Sequence, residues 1–322
     1  MAILQLTAED DNFHTPTSDD PWWQESAWFT VIVPERNISC YVYPWVRANQ
    51  NLFGGGVMVW DDRGRHPHEA LHWDYQWSHP YPELGDLRDI TFPNGLRVRC
   101  LEPLTKYHLA YEHPQCSLDV TFDAIVPPHA LAGSDDTTGT FSGHLDQQGH
   151  MTGQLSVDGE EHEIDCYTMR DRSWGRRVPT PGMHIGYDLA TNESSAFVAF
   201  SQPDIDGSPV VGGIGYLWRD GESAPFAGGT RVLERDGVWP SRVILQAHDT
   251  LGRTIEAVGE SVNHICFQNL PSMVNFVSTL RWEWEGDRGV SASWGEVQDV
   301  WDIERYRPFA RATNKVRSRD GA

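Results

Sequence analysis

MTGQLSVDGEEHEIDCYTMRDRSWGRR, residues 151–177, decides the fold class of this chain. Apolar and polar side chains alternate on both sides of Asp158-Gly159, a dipeptide typical of the tight turn between two antiparallel strands. We therefore predict a β-hairpin with strands over residues 151–157 and 161–169. The segment that follows, residues 170–177, interrupts the apolar alternation, and we expect a corner there.

Similar alternating segments recur along the chain, and no 3.6-residue apolar stripe is longer than two turns. Turn dipeptides such as Asp220-Gly221 and Asp236-Gly237 separate them. About nine such segments precede a proline-containing break near residues 178–183 and about eight follow it, enough for two antiparallel barrels or strongly curved sandwiches. We predict an all-β protein with few short helices, one of them near residues 270–275, and two domains, 1–176 and 177–322.

The net charge excludes several classes of partner. The chain has 46 Asp and Glu against 25 Lys and Arg, a formal charge of −21 at pH 7. Binding to phosphates needs clustered cations, so we expect neither a nucleic acid nor an anionic membrane as partner. No stretch is apolar for long enough to span a membrane, and the N-terminus lacks the pattern of a signal peptide.

The cysteines indicate the cellular location of the chain, and the motifs that it lacks indicate which cofactors to expect. The 5 Cys are widely spaced without a CxxC pair, which favours reduced thiols and a cytoplasmic location. The sequence has no nucleotide-binding loop that leads into a helix, no HExxH and no EF-hand loop, so we expect no metal and no organic cofactor. The oligomeric state is left open, a homodimer being one option.

The 14 Trp are unusually many, and several lie beside polar groups. In the predicted strand 71–77, Trp73, Tyr75 and Trp77 share one face, which is either a layer of the core or the wall of a ligand cavity. The nearby His66-Pro67-His68 spacing is a weak metal signal without a second cluster of ligands.

Two further tyrosines extend this interpretation. Tyr107 and Tyr111 alternate with polar residues in a predicted strand, so their rings share a face and carry hydroxyl groups at the tips. An eight-stranded barrel has enough interior for side chains or one small ligand. The tyrosines therefore belong either to an ordinary core or to a cavity wall.

A cluster of cations surrounds a single carboxylate in residues 170–177. Arg170 and Arg172 flank Asp171, and a bidentate ion pair with either would hold the carboxylate in place. The alternative is a structural salt bridge at the end of a strand. Trp174-Gly175 is compatible with both, because Gly lets a backbone approach closely under a bulky ring.

The run Met169-Arg-Asp-Arg-Ser-Trp-Gly-Arg-Arg177 resembles a motif of the hydroxyneurosporene synthase (carotenoid 1,2-hydratase) and AttH-like superfamily. It is most similar to a bacterial branch with an Arg-Asp-x-Ser-Trp-Gly signature. The resemblance implies two lipocalin-like domains and an apolar cavity for terpenoid, polyketide or phenolic molecules. It does not identify the reaction, since members add water to alkenes, cyclise polyenes or have no known activity.

The resemblance implies acid–base chemistry on an unsaturated substrate. Hydration of an alkene needs a proton donor, and a carboxylic acid in a dry site has the raised pKa that suits this role. Asp171 is the first candidate, but an ion pair with the flanking arginines would lower its pKa and make it an anchor. The acid would then be one of the other candidates, which are His184, Asp188 and Asp74.

The candidate substrate-binding groups are the aromatic rings, whose faces stabilise a carbocation, and the two arginines. They are Trp174, Trp73, Tyr75, Trp77, Tyr107, Tyr111, Arg170 and Arg172.

Three functions remain open. The first is a hydratase, dehydratase, isomerase or cyclase that works without a cofactor. The second is a lipocalin-type carrier that binds a hydrophobic molecule in the same cavity. The third is a carbohydrate-active protein, since Trp platforms with paired carboxylates are common in that class.

Overall fold

The computed structural model describes residues 2–81, 83–133, 141–178, 181–202, 210, 214–286 and 289–320. These residues are almost entirely in strands, which confirms the predicted all-β class. The chain divides into two compact units, one of Met1–Asp61 with His68–Val178 and one of Asp62–Pro67 with Pro179–Ala322. Within the described ranges, no helix has both the length and the hydrophobicity needed to cross a membrane.

The strands and the α-helix, in chain order, are β1 (Ala2–Ile3), β2 (Trp23–Val33), β3 (Ile38–Arg47), β4 (Leu52–Trp60), β5 (His72–Pro80), β6 (Asp89–Thr91), β7 (Arg97–Glu102), β8 (Lys106–His113), β9 (Cys116–Ala124), β10 (His129–Ala132), β11 (Gly143–Val157), β12 (Glu160–Arg176), β13 (His184–Thr191), β14 (Ser195–Ser201), β15 (Tyr216–Arg219), β16 (Glu222–Asp236), β17 (Trp239–Asp249), β18 (Thr254–Leu270), β19 (Met273–Gly286), β20 (Gly289–Asp302) and α1 (Ile303–Asp320).

The first unit is a curled 12-stranded antiparallel sheet with the main order β5-β4-β3-β2-β12-β11-β9-β8-β7-β6. The curl brings Phe29 of β2 within 5.9 Å of Tyr107 on β8 and 5.8 Å of Phe122 on β9, measured between ring centroids. The face that carries these rings is called the inner face below. The opposite face, which carries Trp28 and Asp171, is called the outer face.

The second unit is a closed antiparallel barrel in which β13, the first strand, pairs with β20, the last. Its core contains Phe197, whose ring meets Trp282 and Trp284 edge-on at 5.1 and 5.5 Å. Aromatic side chains at successive inward positions account for this interior, as expected for a barrel of this size.

The helices differ from the prediction. Residues 270–275, where we predicted a helix, hold the tight turn between β18 and β19, in which Leu270 pairs with Met273. The α-helix instead follows β20, and its Phe309 stacks on Trp301 with ring centroids 5.0 Å apart. A single apolar stripe suffices for this helix because it packs by one side against the end of the barrel.

The β11–β12 hairpin is much longer than the predicted strands of 151–157 and 161–169. Asp158 and Gly159 both have positive φ, 54° and 78°, as a type I′ turn requires. Pairing then continues without a break from Val157–Glu160 to Gly143–Trp174. The expected corner at residues 170–177 is therefore a strand, because the charged side chains find partners on both faces of the sheet.

Candidate active site on the outer face

Asp171 and its two neighbouring arginines lie on opposite faces of β12. Side chains of a strand alternate between the two faces, so Arg170 and Arg172 share the inner face while Asp171 lies on the outer face. Neighbouring residues of a strand lie on opposite faces, so Asp171 does not form the ion pair with Arg170 or Arg172 that the sequence suggests. In place of that pair, each arginine binds groups from other parts of the first unit.

The arginines have their hydrogen-bond partners on the inner face. Arg170 Nε donates a hydrogen bond of 2.7 Å to Gln147 Oε1, and its guanidinium lies 4.1 Å from the centre of the Tyr107 ring. Arg172 Nη2 donates to Glu25 Oε2 at 2.9 Å. Both side chains are buried on the inner face, and their predicted role in substrate binding stays a prediction.

Asp171 belongs instead to a cluster on the outer face. It pairs across the hairpin with Asp146, and His144 pairs with Ser173 one step further along. The imidazole Nε2 of His144 lies 3.2 Å from Asp146 Oδ1, and its Nδ1 lies 2.8 Å from Ser173 Oγ. One ligand atom each of His144, Asp146 and Asp171 lie within 4.8 Å of one another.

This environment changes the protonation of Asp171. Burial raises the pKa of its carboxyl to about 7, the neighbouring Asp146 carboxylate adds to the rise, and His144 and Arg177 oppose it. Burial alone would lower the pKa of His144, but Asp146 and Asp171 outweigh this effect, and the pKa is raised. Near neutral pH the cluster thus holds a carboxyl group able to give or take a proton.

Aromatic groups flank the carboxyl. Trp28 of β2 pairs directly with Asp171, and its indole N–H is buried with no acceptor among the residues that the structure describes. Tyr43 lies on the next strand, where burial raises the pKa of its hydroxyl and the Asp171 carboxylate raises it further. An acid, a ring face and an unpartnered buried donor therefore meet at one place.

The predicted aromatic wall lies on the same face, further along the sheet. Tyr43 pairs with Gly56, and Gly56 with Tyr75, so one glycine separates the two tyrosines across the sheet. Tyr75 contacts Trp73 at 6.3 Å and Trp77 at 5.3 Å between ring centroids. Trp77 is exposed, at 42% of its surface, and the other two rings are half-buried. The three rings form a continuous strip along the edge strand β5.

Other predicted site residues lie on the inner face. Trp174 stacks on His14 at 4.1 Å between ring centroids. The hydroxyl of Tyr107 donates to Asp11 at 2.6 Å, and that of Tyr111 donates to Asp74 at 3.0 Å. These side chains bind one another within the packed interior of the first unit and are not part of the Asp171 cluster.

His184 and Asp188 lie in the second unit. His184 Nε2 is 2.9 Å from Asp299 Oδ1, and Asp188 accepts bonds of 2.6 and 2.9 Å from Arg231. The charged atoms of Asp188 and Arg231 are fully buried and neutralise each other. This geometry is typical of a structural ion pair.

Our sequence analysis missed His144 and Asp146, although the sequence contains a signal for them. The Asp158-Gly159 turn sets the register of the hairpin, and counting outward from the Val157–Glu160 pair leads to Asp146 opposite Asp171. We predicted the strands to be too short for this count to reach the cluster. The signal was the register that the turn sets, not a motif.

Comparison with known proteins agrees with the fold. A family model described as Domain of unknown function (DUF7064) matches residues 7–300, and no curated protein matches the sequence. An AttH-like protein from Nitrosomonas europaea shares 12% identity at a TM-score of 0.57, covering 92% of this chain and 97% of that one.

Two other solved structures have the same fold. Kievitone hydratase from Nectria haematococca shares 13% identity at a TM-score of 0.53, covering 93% of both chains. CghA, solved with Sch210972, shares 12% identity at a TM-score of 0.54, covering 88% of this chain and 89% of that one. The expected AttH-like fold is thereby confirmed, and at these identities the likeness concerns the fold alone.

Proposed function

This chain belongs to the DUF7064 family, a domain of unknown function, and we propose that it is an enzyme for a lipophilic unsaturated substrate of the terpenoid, polyketide or phenolic class. The proposed chemistry is hydration, dehydration, isomerisation or cyclisation by acid–base catalysis with the chain's own side chains. One observation carries the proposal: a carboxyl with a pKa of about 7, Asp171, lies beside the indole of Trp28 on the outer face.

Asp171 acts as the proton donor in this proposal. Its carboxylic acid gives a proton to one alkene carbon, and the π-electron pair forms the new C–H bond. The adjacent carbon becomes a cation, which the ring faces of Trp28 and Tyr43 stabilise by about 0.5–2 kcal/mol each. In hydration, water forms a C–O bond to the cation with its lone pair and then loses a proton. In cyclisation, a second double bond forms a C–C bond, and the new cation that this leaves on another carbon loses a proton to the Asp171 carboxylate.

The fold comparisons support this class of reaction. Kievitone hydratase is by its name a hydratase, and CghA was solved with the small molecule Sch210972. Both have the fold of this chain, and fold likeness raises the expectation of related chemistry without fixing it. The substrate class remains a prediction, and so does membership of the branch with the Arg-Asp-x-Ser-Trp-Gly signature.

The test compares Asp171→Asn with Asp165→Asn, a matched control on the same strand. Asp165 also contacts a histidine, His150, at 2.5 Å, but it lies on the exposed surface. The purified proteins are incubated in deuterated water with a prenylated phenol and with an acyclic terpene. Carbon-bound deuterium and new products are then followed by mass spectrometry.

We expect the Asp171→Asn variant to lose product formation by about 10²-fold or more, the usual contribution of a general acid, and the control to keep it. Both variants should stay folded, because Asn resembles the protonated carboxyl in shape. Undiminished turnover in Asp171→Asn removes Asp171 from the reaction. A wild-type chain that binds both probes without deuterium uptake is a carrier and not an enzyme.

A further inference from the structure

Three buried side chains form a polar chain beside Asp171. Ser173 Oγ is 2.8 Å from His144 Nδ1, and His144 Nε2 is 3.2 Å from Asp146 Oδ1. Their exposed fractions are 2% for Ser173, 7% for His144 and 0% for Asp146, so bulk water does not reach them freely. The proposed reaction consumes the proton of Asp171, which is half-buried, and its buried neighbour His144 lies close enough to restore that proton.

Resting on the proposed function, we propose that His144 is the relay that returns a proton to Asp171 in each turnover, held in place by Asp146 and Ser173. This proposal rests on a distance: an imidazole nitrogen of His144 and a carboxylate oxygen of each of Asp146 and Asp171 lie within 4.8 Å of one another. His144 acts through Asp171, and Ser173 and Asp146 are positioning residues.

The two partners hold the imidazole in its charged form. Both ring nitrogens of an imidazolium are donors, and here one faces a hydroxyl oxygen and the other a carboxylate. Charges on the facing groups favour the same state. Burial and Arg177 lower the pKa of His144, but the Asp146 carboxylate raises it, and so does the Asp171 carboxylate once Asp171 has given up its proton. His144 therefore rests with a proton that it can give away.

The proton balance closes over one hydration. Asp171 gives its proton to the alkene carbon and becomes a carboxylate. Water forms the C–O bond with its lone pair, and the His144 imidazolium passes a proton to Asp171. The neutral imidazole then takes the proton that the bound water releases. Alkene and water become an alcohol, and both side chains return to their starting states without an oxidant or reductant.

The first experiment measures whether the two groups titrate as a coupled pair, and it needs no substrate. The imidazole resonances of the 14 His are followed by NMR against pH, and that of His144 is identified by its loss in His144→Gln. Removing the Asp171 charge should lower the pKa of His144 by about one pH unit in Asp171→Asn. Asp165→Asn, which removes a surface carboxylate near His150, should leave it unchanged.

The second experiment measures turnover. His144→Gln keeps a polar side chain but cannot carry a proton, and it should reduce kcat by about 10²-fold and shift the pH profile of kcat. Imidazole added to His144→Ala should restore part of the lost rate. His150→Gln, the matched change on the exposed part of β11, should leave kcat and the profile unchanged.

The outcomes separate the two proposals. If the pKa of His144 is the same in wild type and in Asp171→Asn, the relay is overturned. Full turnover with an unchanged pH profile in His144→Gln overturns it as well. Either result leaves Asp171 as the acid. If the wild-type chain protonates neither alkene probe, the proposed function fails, and the relay fails with it.

Discussion

The sequence Arg170-Asp171-Arg172 places three charges in succession, but the strand separates them. Each arginine turns to the inner face and binds a partner there, Gln147 for the first and Glu25 for the second. Asp171 is thus spared an ion pair with either neighbour, which would lower the pKa of its carboxyl. Burial instead raises this pKa to about 7. The same three residues in a loop would permit direct pairing.

This raised pKa makes stability depend on pH. The folded chain holds the Asp171 proton up to about pH 7, whereas the unfolded chain releases it near 3.8, the ordinary pKa of an aspartate. The folded state therefore binds more protons between these values, and the contribution of Asp171 to stability is lost as pH rises through this window. Relative to wild type, the free energy of unfolding of Asp171→Asn should therefore rise by about 4 kcal/mol between pH 4 and pH 8, since one unit of pKa shift corresponds to about 1.4 kcal/mol.

Urea unfolding at both pH values checks this prediction, with Asp165→Asn as the control. Asp165 is exposed, so its removal should change the free energy of unfolding equally little at both pH values. A constant difference between wild type and Asp171→Asn across the whole range contradicts the raised pKa.

Among the elements, the β11–β12 hairpin determines the site. Its type I′ turn sets a register that continues to Gly143 and Trp174, and this register places Asp146 and His144 beside the proposed acid. The turn and the alternation were predictable from the sequence. The length of the strands was not, because the polar residues near Asp171 resemble a loop until their partners on neighbouring strands are known.

The far end of this hairpin depends on a glycine. A Cβ on Gly143 would lie 2.1 Å from the indole ring of Trp174, so the ring lies where a side chain would be. Gly143→Ala should lower the free energy of unfolding by about 1–3 kcal/mol, the usual result of overpacking. Trp174→Leu in the same chain should recover part of the loss, because the smaller side chain frees the space.

Thermal and urea unfolding of the two single variants and the double variant measure this coupling. Thr152→Ala, an exposed position on β11, is the control and should change the free energy of unfolding by less than about 0.5 kcal/mol. Additive effects of Gly143→Ala and Trp174→Leu would show that the two residues do not compete for space.

In the molecule as a whole, two carboxyls that look alike in the sequence have different surroundings. Both Asp171 and Asp188 lie in strands, β12 and β13, and both were candidate acids. In the second unit Asp188 is bound by two nitrogens of Arg231, whereas Asp171 in the first unit lies beside a second carboxylate. Asp188 is therefore expected to stabilise the fold and Asp171 to carry chemistry.

Replacing Asp188 tests this distinction. Asp188→Asn removes the carboxylate that is paired directly with the buried Arg231 and should lower the free energy of unfolding by about 3 kcal/mol or more. The matched change Glu260→Gln removes a surface pair, in which Arg242 Nε is 2.8 Å from the carboxylate, and should cost less than about 1 kcal/mol. Equal stability of the two variants in urea would contradict a structural role for Asp188.

The sequence by itself determined the all-β class, the antiparallel hairpin around Asp158-Gly159 and the shared face of Trp73, Tyr75 and Trp77. These follow from local rules, since a strand repeats every two residues and a tight turn needs particular backbone angles. The tertiary structure decided that Asp171 neighbours His144 and not an arginine. The physical reason is that each partner comes from another strand, and only the pairing and curl of the sheet determine which strands meet.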